Sequence, residues 1–172
     1  VNQQKEWISK LTAKGITKIV GMSHYWFWPE NYGVTDRSAA PYRDRTEGSE
    51  YCEWIALYEE TWYALASTFP EIKYWEVGNE FNSDAFLHPK NFYADGKKFT
   101  LDEKAAIVTE MCFAASAGIH RANPDAVVIF PGLAPEGGFT IMRKFLRRVY
   151  QNITSGEFGN GSTEPDDYFG AV

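Results

Sequence analysis

Three short apolar runs are kept apart by long segments of helical period, and that alternation limits the fold most. The runs are ITKIVGMS (16–23), IKYWEVGN (72–79) and AVVIFP (126–131). They are rich in Val, Ile and aromatic residues and have strand length. Trp7, Ile8 and Leu11 mark one face of a helix over 3–14, with Gly15 as its stop. Tyr51, Trp54, Ile55, Tyr58, Trp62 and Leu65 recur at helical spacing over 50–68, behind Ser49 as N-cap and ahead of Pro70. Thr100-Leu101-Asp102-Glu103 reads as a capping box opening a helix to about residue 122, with Val108, Met111, Cys112, Ala115 and Ile119 inward. A further helix over 139–151 buries Met142, Phe145, Leu146 and Val149. Strands separated by helices cannot pair as hairpins. They return parallel, through right-handed crossovers.

Two architectures satisfy this pattern, a doubly wound sheet and a barrel. No GxGxxG or P-loop stands at any strand-to-helix turn, which weakens the nucleotide-binding version. The loops after the first two strands, 24–48 and 81–99, are long, whereas the turns near 15 and 69–71 are short. In parallel α/β folds the chemistry sits at the carboxyl ends of the strands, where those long loops lie.

The chain has 172 residues, 44% hydrophobic and 23% charged, which suits one globular domain with a sizeable core. A net charge of −6 lacks the basic footprint of a nucleic-acid binder. No run is long and apolar enough for a membrane helix, and no His, Cys or carboxylate cluster has metal-ligand spacing. Neither nucleic acid, membrane nor metal is expected as a partner. Cys52 and Cys112 fall at different heights on neighbouring helices and are expected as buried free thiols. The chain begins at Val1 inside a helix and ends, at residues 167–172, on the start of an apolar run read as a fourth strand. The expectation is an interior piece of a longer protein.

The stretch EIKYWEVGNEFN (71–82) carries the chemistry. Alternation along a strand places Tyr74, Glu76, Gly78 and Glu80 on one face, with Glu80 last, at the rim. A carboxylate there meets substrate while staying partly hydrated, as a general acid or base must; Gly78 beneath it leaves room. Glu76 and Glu80, four residues apart on a strand, would sit about 13 Å apart. Glycosidase pairs need about 5–5.5 Å or 6.5–9.5 Å, so a partner of Glu80 must lie on another strand. Glu76, one layer down, reads as a buried structural acid in need of donors.

WEVGNEFN (Trp75 to Asn82) resembles the fourth-strand signature W-E-x-x-N-E-P of clan A glycoside hydrolases, and its wording is closest to the β-xylosidase/α-iduronidase and heparanase-like families. The resemblance implies a partial (β/α)8 barrel, from its second helix to the start of its sixth strand. It implies a retaining glycosidase acting on a carbohydrate substrate, with Glu80 as acid/base and Asn79 touching the sugar 2-hydroxyl. The nucleophilic Glu would lie outside this chain, with the remainder of the barrel as the partner that supplies it, and no cofactor is implied. Phe81 departs from the family's Pro, which puts the path of the following loop in question.

Around the same rim, His24, Tyr25, Trp26 and Trp28 are candidates for a sugar subsite, as is Asn82, with Asp84 and His88 behind them. The alternative for the aromatics is anchorage of a long loop. His120, in the last turn of a helix, reads as structural. Asn152 and Asn160 head glycosylation sequons placed in the 152–166 connection. A second function class fits the same residues: a non-catalytic carbohydrate-binding or scaffold protein on a degenerate barrel.

Overall fold

The computed structural model describes residues 1–23 and 32–172. Helix α1 (Asn2–Ala13) precedes strand β1 (Val20–Met22), β2 (Ala39–Ala40) and helix α2 (Glu50–Thr68). Then come β3 (Tyr74–Glu76), β4 (His88–Pro89), the short helix α3 (Phe92–Asp95) and the long helix α4 (Leu101–Ala122). Strand β5 (Val127–Ile129) and helix α5 (Gly138–Ser155) complete the main elements.

The strands form two small parallel sheets, one of three strands in the order β1-β3-β5 and one pairing β2 with β4. The expected partial (β/α)8 barrel is therefore overturned: among the described residues nothing closes a ring of strands. A barrel needs eight tilted strands, and here each strand of the larger sheet has only three residues. Beyond β5 the ladder continues as a single bridge, Ile129 to Ala171, where a fourth strand was expected. Alternating helix and strand require parallel pairing but not closure. A small open sheet backed by helices satisfies the same pattern.

The helices back one face of the sheet. Trp75 and Val128 lie at the same register and are buried on that side, where Trp75 meets the edge of Trp62 from α2 at 6.0 Å. Gly21, next in that row, is required by this packing, since a Cβ there would fall 2.4 Å from the Trp75 ring. On the opposite face Val20 and Met22 are more than half exposed, beside half-buried Tyr74 and Glu76. Trp54, Tyr58 and Trp62 form a continuous aromatic column down α2. Against it lies α4, buried almost all round, with Gly118 giving the closest approach: a Cβ there would stand 2.3 Å from the Glu59 carbonyl.

Both expected helix caps are present. Ser49 accepts the Cys52 amide, and Thr100 and Glu103 form the reciprocal capping box. Differences from the sequence reading cluster at the ends. On α1 only Ile8 is buried, while Trp7 is 56% exposed. The long loops after β1 and β3 pair with each other through β2 and β4, which no periodicity in so short a segment announces. Helix α5 runs to Ser155, so Asn152 stands in its last turn and not in a loop; its amide donates to Thr109 Oγ1 at 3.2 Å.

One buried charge cluster holds the loop before α2 on to α4. Glu110 accepts two hydrogen bonds from Arg43, 3.1 Å from Nε and 3.0 Å from Nη2, and lies 3.4 Å from Arg45 Nε. The Tyr51 hydroxyl also donates to it. Burial and the neighbouring carboxylate hold that phenol well above the ordinary tyrosine range.

Candidate active site

Strand β3 is shorter than the apolar run that specifies it, yet its ladder with the segment after β5 continues past Glu76. The Val77 amide donates to the Ile129 carbonyl at 3.1 Å, Asn79 bridges Gly132, and the Glu80 amide donates to the Gly132 carbonyl at 2.7 Å. Glu80 is thus the last residue tied to the sheet, at its carboxyl end, as the sequence implied.

Parity does not carry that far. Alternation holds from Tyr74 to Val77, with Trp75 and Val77 buried, and then breaks. Gly78 has φ 120°, which needs glycine, and Glu80 has φ 51°. A glutamate in the left-handed region is uncommon, and such residues persist only where the surroundings over-determine them. The room at Gly78 is not left for a ligand. It is filled by the ring of Phe81, 2.0 Å from where a Cβ would be, and that ring is fully buried. Phe81, standing where the resemblance has Pro, folds back under the turn and supports it from inside.

The turn is fixed from three sides. Gly132 is the first. Besides accepting from Glu80, it donates its own N–H to Glu76 Oε1 at 3.0 Å. Glu76, expected as a structural acid wanting donors, is half-buried and has this one. Ala134 is the second: the Asn82 amide donates to its carbonyl and accepts its N–H, both at 2.8 Å. Asn82 therefore braces the turn against the segment after β5, with its carboxamide turned to backbone.

Lys104 is the third anchor. Its side chain is 6% exposed, near the N-terminus of α4, where the dipole disfavours a cation. It reaches the Asn82 carbonyl at 3.2 Å and Asp84 Oδ1 at 2.6 Å. Asp84 also meets Lys98 at 2.7 Å. Burial pushes the Asp84 carboxyl up, but the two ammonium groups outweigh it and hold it below the usual aspartate value. Asp84, a candidate for substrate contact, is thus an internal counter-ion. His88, the other, is 1% exposed; its Nδ1 faces the Pro89 carbonyl at 3.0 Å and its ring stacks on Phe92.

Glu80 itself is half-buried, and among the described residues no donor engages its carboxylate. Asn79 beside it is likewise half-buried with its carboxamide unengaged. Among the described rim residues named from the sequence, these two have side chains that no hydrogen bond or ion pair engages. His24, Tyr25, Trp26 and Trp28 lie outside the described residues. Glu80 is not among the residues lining the best-formed hollows of the described residues, the widest of which, about 820 Å³, lies between α4 and the 159–167 segment.

His120 is structural as expected: its Nε2 donates to the Ala126 carbonyl at 3.0 Å and its Nδ1 accepts from Ser116 at 3.1 Å. Both cysteines are free; Cys112 is buried and Cys52 half-buried. No group of three or more His, Cys, Asp or Glu among the described residues is arranged to hold a metal ion, and none of the described helices is long and apolar enough to cross a membrane. Sequence reasoning missed Gly132, Ala134 and Lys104. The first two act through backbone, which leaves no residue-type signal. Lys104 had one: a lysine in the first turn on the inward side of an apolar helix.

No family model, curated protein or solved structure matches this chain.

Proposed function

We propose that the chain supplies the acid/base carboxylate of a retaining glycoside hydrolase, and that Glu80 is that group. One observation carries the reading: a carboxylate with no donor among the described residues, at a strand end, on left-handed backbone that neighbouring segments hold in place. Fixed placement with a free head group is what a proton-transferring residue needs. The WEVGNEFN wording supports the same role and gives Asn79 the sugar 2-hydroxyl.

Glu80 as carboxylic acid protonates the glycosidic oxygen as the bond to the anomeric carbon breaks. A carboxylate on the opposite face, about 5–5.5 Å away, takes the sugar as a covalent ester. Glu80, now ionised, removes a proton from water, which attacks the anomeric carbon and frees the nucleophile. The proposal assigns that second carboxylate to a residue outside this chain. It is therefore tested by supplying a nucleophile from solution.

The chain and Glu80→Gln are assayed with aryl glycosides whose leaving group requires protonation, with and without azide. The expected result is turnover that depends on azide and falls by about 10²–10⁴-fold in Glu80→Gln. Turnover without azide that vanishes in Glu80→Gln would place the whole site in this chain and overturn the assignment of the nucleophile. No turnover in either condition overturns the enzyme. If oligosaccharides then still bind, the chain is a carbohydrate-binding protein.

A further inference from the structure

Strand β1 is the outer strand of the β1-β3-β5 sheet, and its far edge has no partner strand among the described residues. Which residues face that edge follows from the other side of the sheet. The Val127 amide donates to the Lys73 carbonyl at 2.7 Å, and the Val77 amide to the Ile129 carbonyl at 3.1 Å. Successive residues of a strand point their backbone groups to alternate sides, so Lys73, Trp75 and Val77 serve β5 while Tyr74 and Glu76 serve β1. Tyr74 lies opposite Val20, and Glu76 opposite Met22. In a parallel ladder a residue bonds the two neighbours of the one opposite it. Gly21 therefore faces β3, and Val20 and Met22 present their N–H and C=O outward.

The flanks of this edge are apolar. Trp7, Leu11, Ile16, Val20 and Met22 are all more than a third exposed, and all fall within the first 22 residues. Trp7 and Leu11 of α1, with Phe69 and Trp75, wall a hollow of about 440 Å³ that Gly21 and Met22 also line. The surroundings are cationic. Residues 1–23 hold four lysines and one glutamate, on a chain whose net charge is −6. That glutamate, Glu6, is taken by Lys10. Lys14 directly follows α1, and Lys18 stands two residues before β1. Both are exposed, and neither has a carboxylate within 4.0 Å among the described residues.

We infer that β1 takes up an extended acidic peptide segment of a partner protein as a further strand, with its apolar side chains seated in the hollow beside α1. Three observations select that occupant. Outward N–H and C=O groups at alternate residues are answered in full by another extended backbone, the basis of recognition by strand addition. Lipid would leave them unsatisfied. The hollow runs beside the strand and takes apolar side chains at every second position of an added one. The lysines set the charge. Beside an edge they turn away a like-charged strand, and a second copy meeting β1 about a two-fold axis would bring two lysine-rich segments together. An acidic strand is attracted instead. The inference rests on residues separate from Glu80 and stands or falls without it.

The test is binding of an eight-residue peptide alternating valine and glutamate to the full chain, read by isothermal titration at low salt and by amide hydrogen exchange at single residues. Saturable binding is expected, with the Val20 and Met22 amides gaining protection and the Gly21 amide, already in the ladder, unchanged. Lys14→Glu/Lys18→Glu is expected to weaken binding about tenfold or more, with unchanged thermal melting because both side chains are exposed. No binding by the wild type, equal binding by the double variant, or binding that leaves Val20 and Met22 unprotected overturns the inference. Equal binding of the same peptide with methylated backbone nitrogens would show that no strand is added, and equal binding of a valine–lysine peptide that the partner is not acidic; either overturns it. So does self-association of the free chain, seen by sedimentation, that protects the same two amides, which would make the occupant a second copy.

Discussion

Removing Asp84 should destabilise the protein more than removing the lysine it neutralises, and removing both should cost little more than removing the lysine alone. In Asp84→Ala the Lys104 ammonium stays 6% exposed with only the Asn82 carbonyl at 3.2 Å to receive it. Breaking a buried pair this way costs about 3–5 kcal/mol. The low end applies, about 3 kcal/mol, because the Asp84 side chain is 27% exposed and solvent reaches that side. In Lys104→Met the charge disappears with little change of volume, and Asp84 keeps Lys98 at 2.7 Å. The loss is then about 1 kcal/mol, that of an ordinary hydrogen bond. The double variant should also stand near about 1 kcal/mol, a coupling of about 3 kcal/mol.

Urea unfolding of the four proteins measures this. For a chain of this size, melting should fall by about 6–12 °C in Asp84→Ala. The sign with pH is fixed. The folded Asp84 titrates below its ordinary value, so its contribution is complete above about pH 4, the unfolded range. It is lost as pH falls through the lowered folded value. The gap between wild type and Asp84→Ala should narrow there. A loss under about 1 kcal/mol in Asp84→Ala, or a double variant as weak as the two singles combined, would refute the argument.

Two further outcomes follow from the same region and from the core. Gly78→Ala places a methyl group in the ring of Phe81 at a φ of 120°; it should cost about 2–5 kcal/mol from overpacking and backbone strain together, and chemical unfolding that matches wild type would show that the turn relaxes freely. Cys112 is fully enclosed, and burial drives its thiol well above the cysteine range; a disulfide reagent at pH 8 should modify Cys52 alone in the folded protein and both thiols in urea, and two fast thiols in the folded state would contradict the packing of α4.

The helices were legible in the sequence because their signals are local. The period of Trp54, Tyr58 and Trp62 and the caps at Ser49 and Thr100 are written within a few residues of where they act. The end of β3 was half legible. Asn79-Glu80 marks the rim by residue type, but the break in alternation depends on Phe81 turning under Gly78, a contact that residue type does not announce. The internal partners of Asn82 and Asp84, Ala134 and Lys104, were not legible because they lie on segments that only tertiary packing brings near. The barrel failed as an expectation because alternation fixes the direction of pairing and not the number of strands that close.

The order β1-β3-β5 also governs how the chain reaches its native state. Each ladder joins residues more than fifty positions apart, Val20 to Tyr74 and Tyr74 to Val127. Closing such loops costs entropy before any strand contact rewards it. Helices α2 and α4 form from local signals on a much faster timescale, and their aromatic and small-residue faces supply the surface on which Trp75 and Val128 later settle. The expected order has the three strands condensing on the packed helices, with the bonds from Gly132 to Glu76 and Glu80 among the last to close. On that order the turn that carries the candidate carboxylate depends on the segment after β5 for its placement.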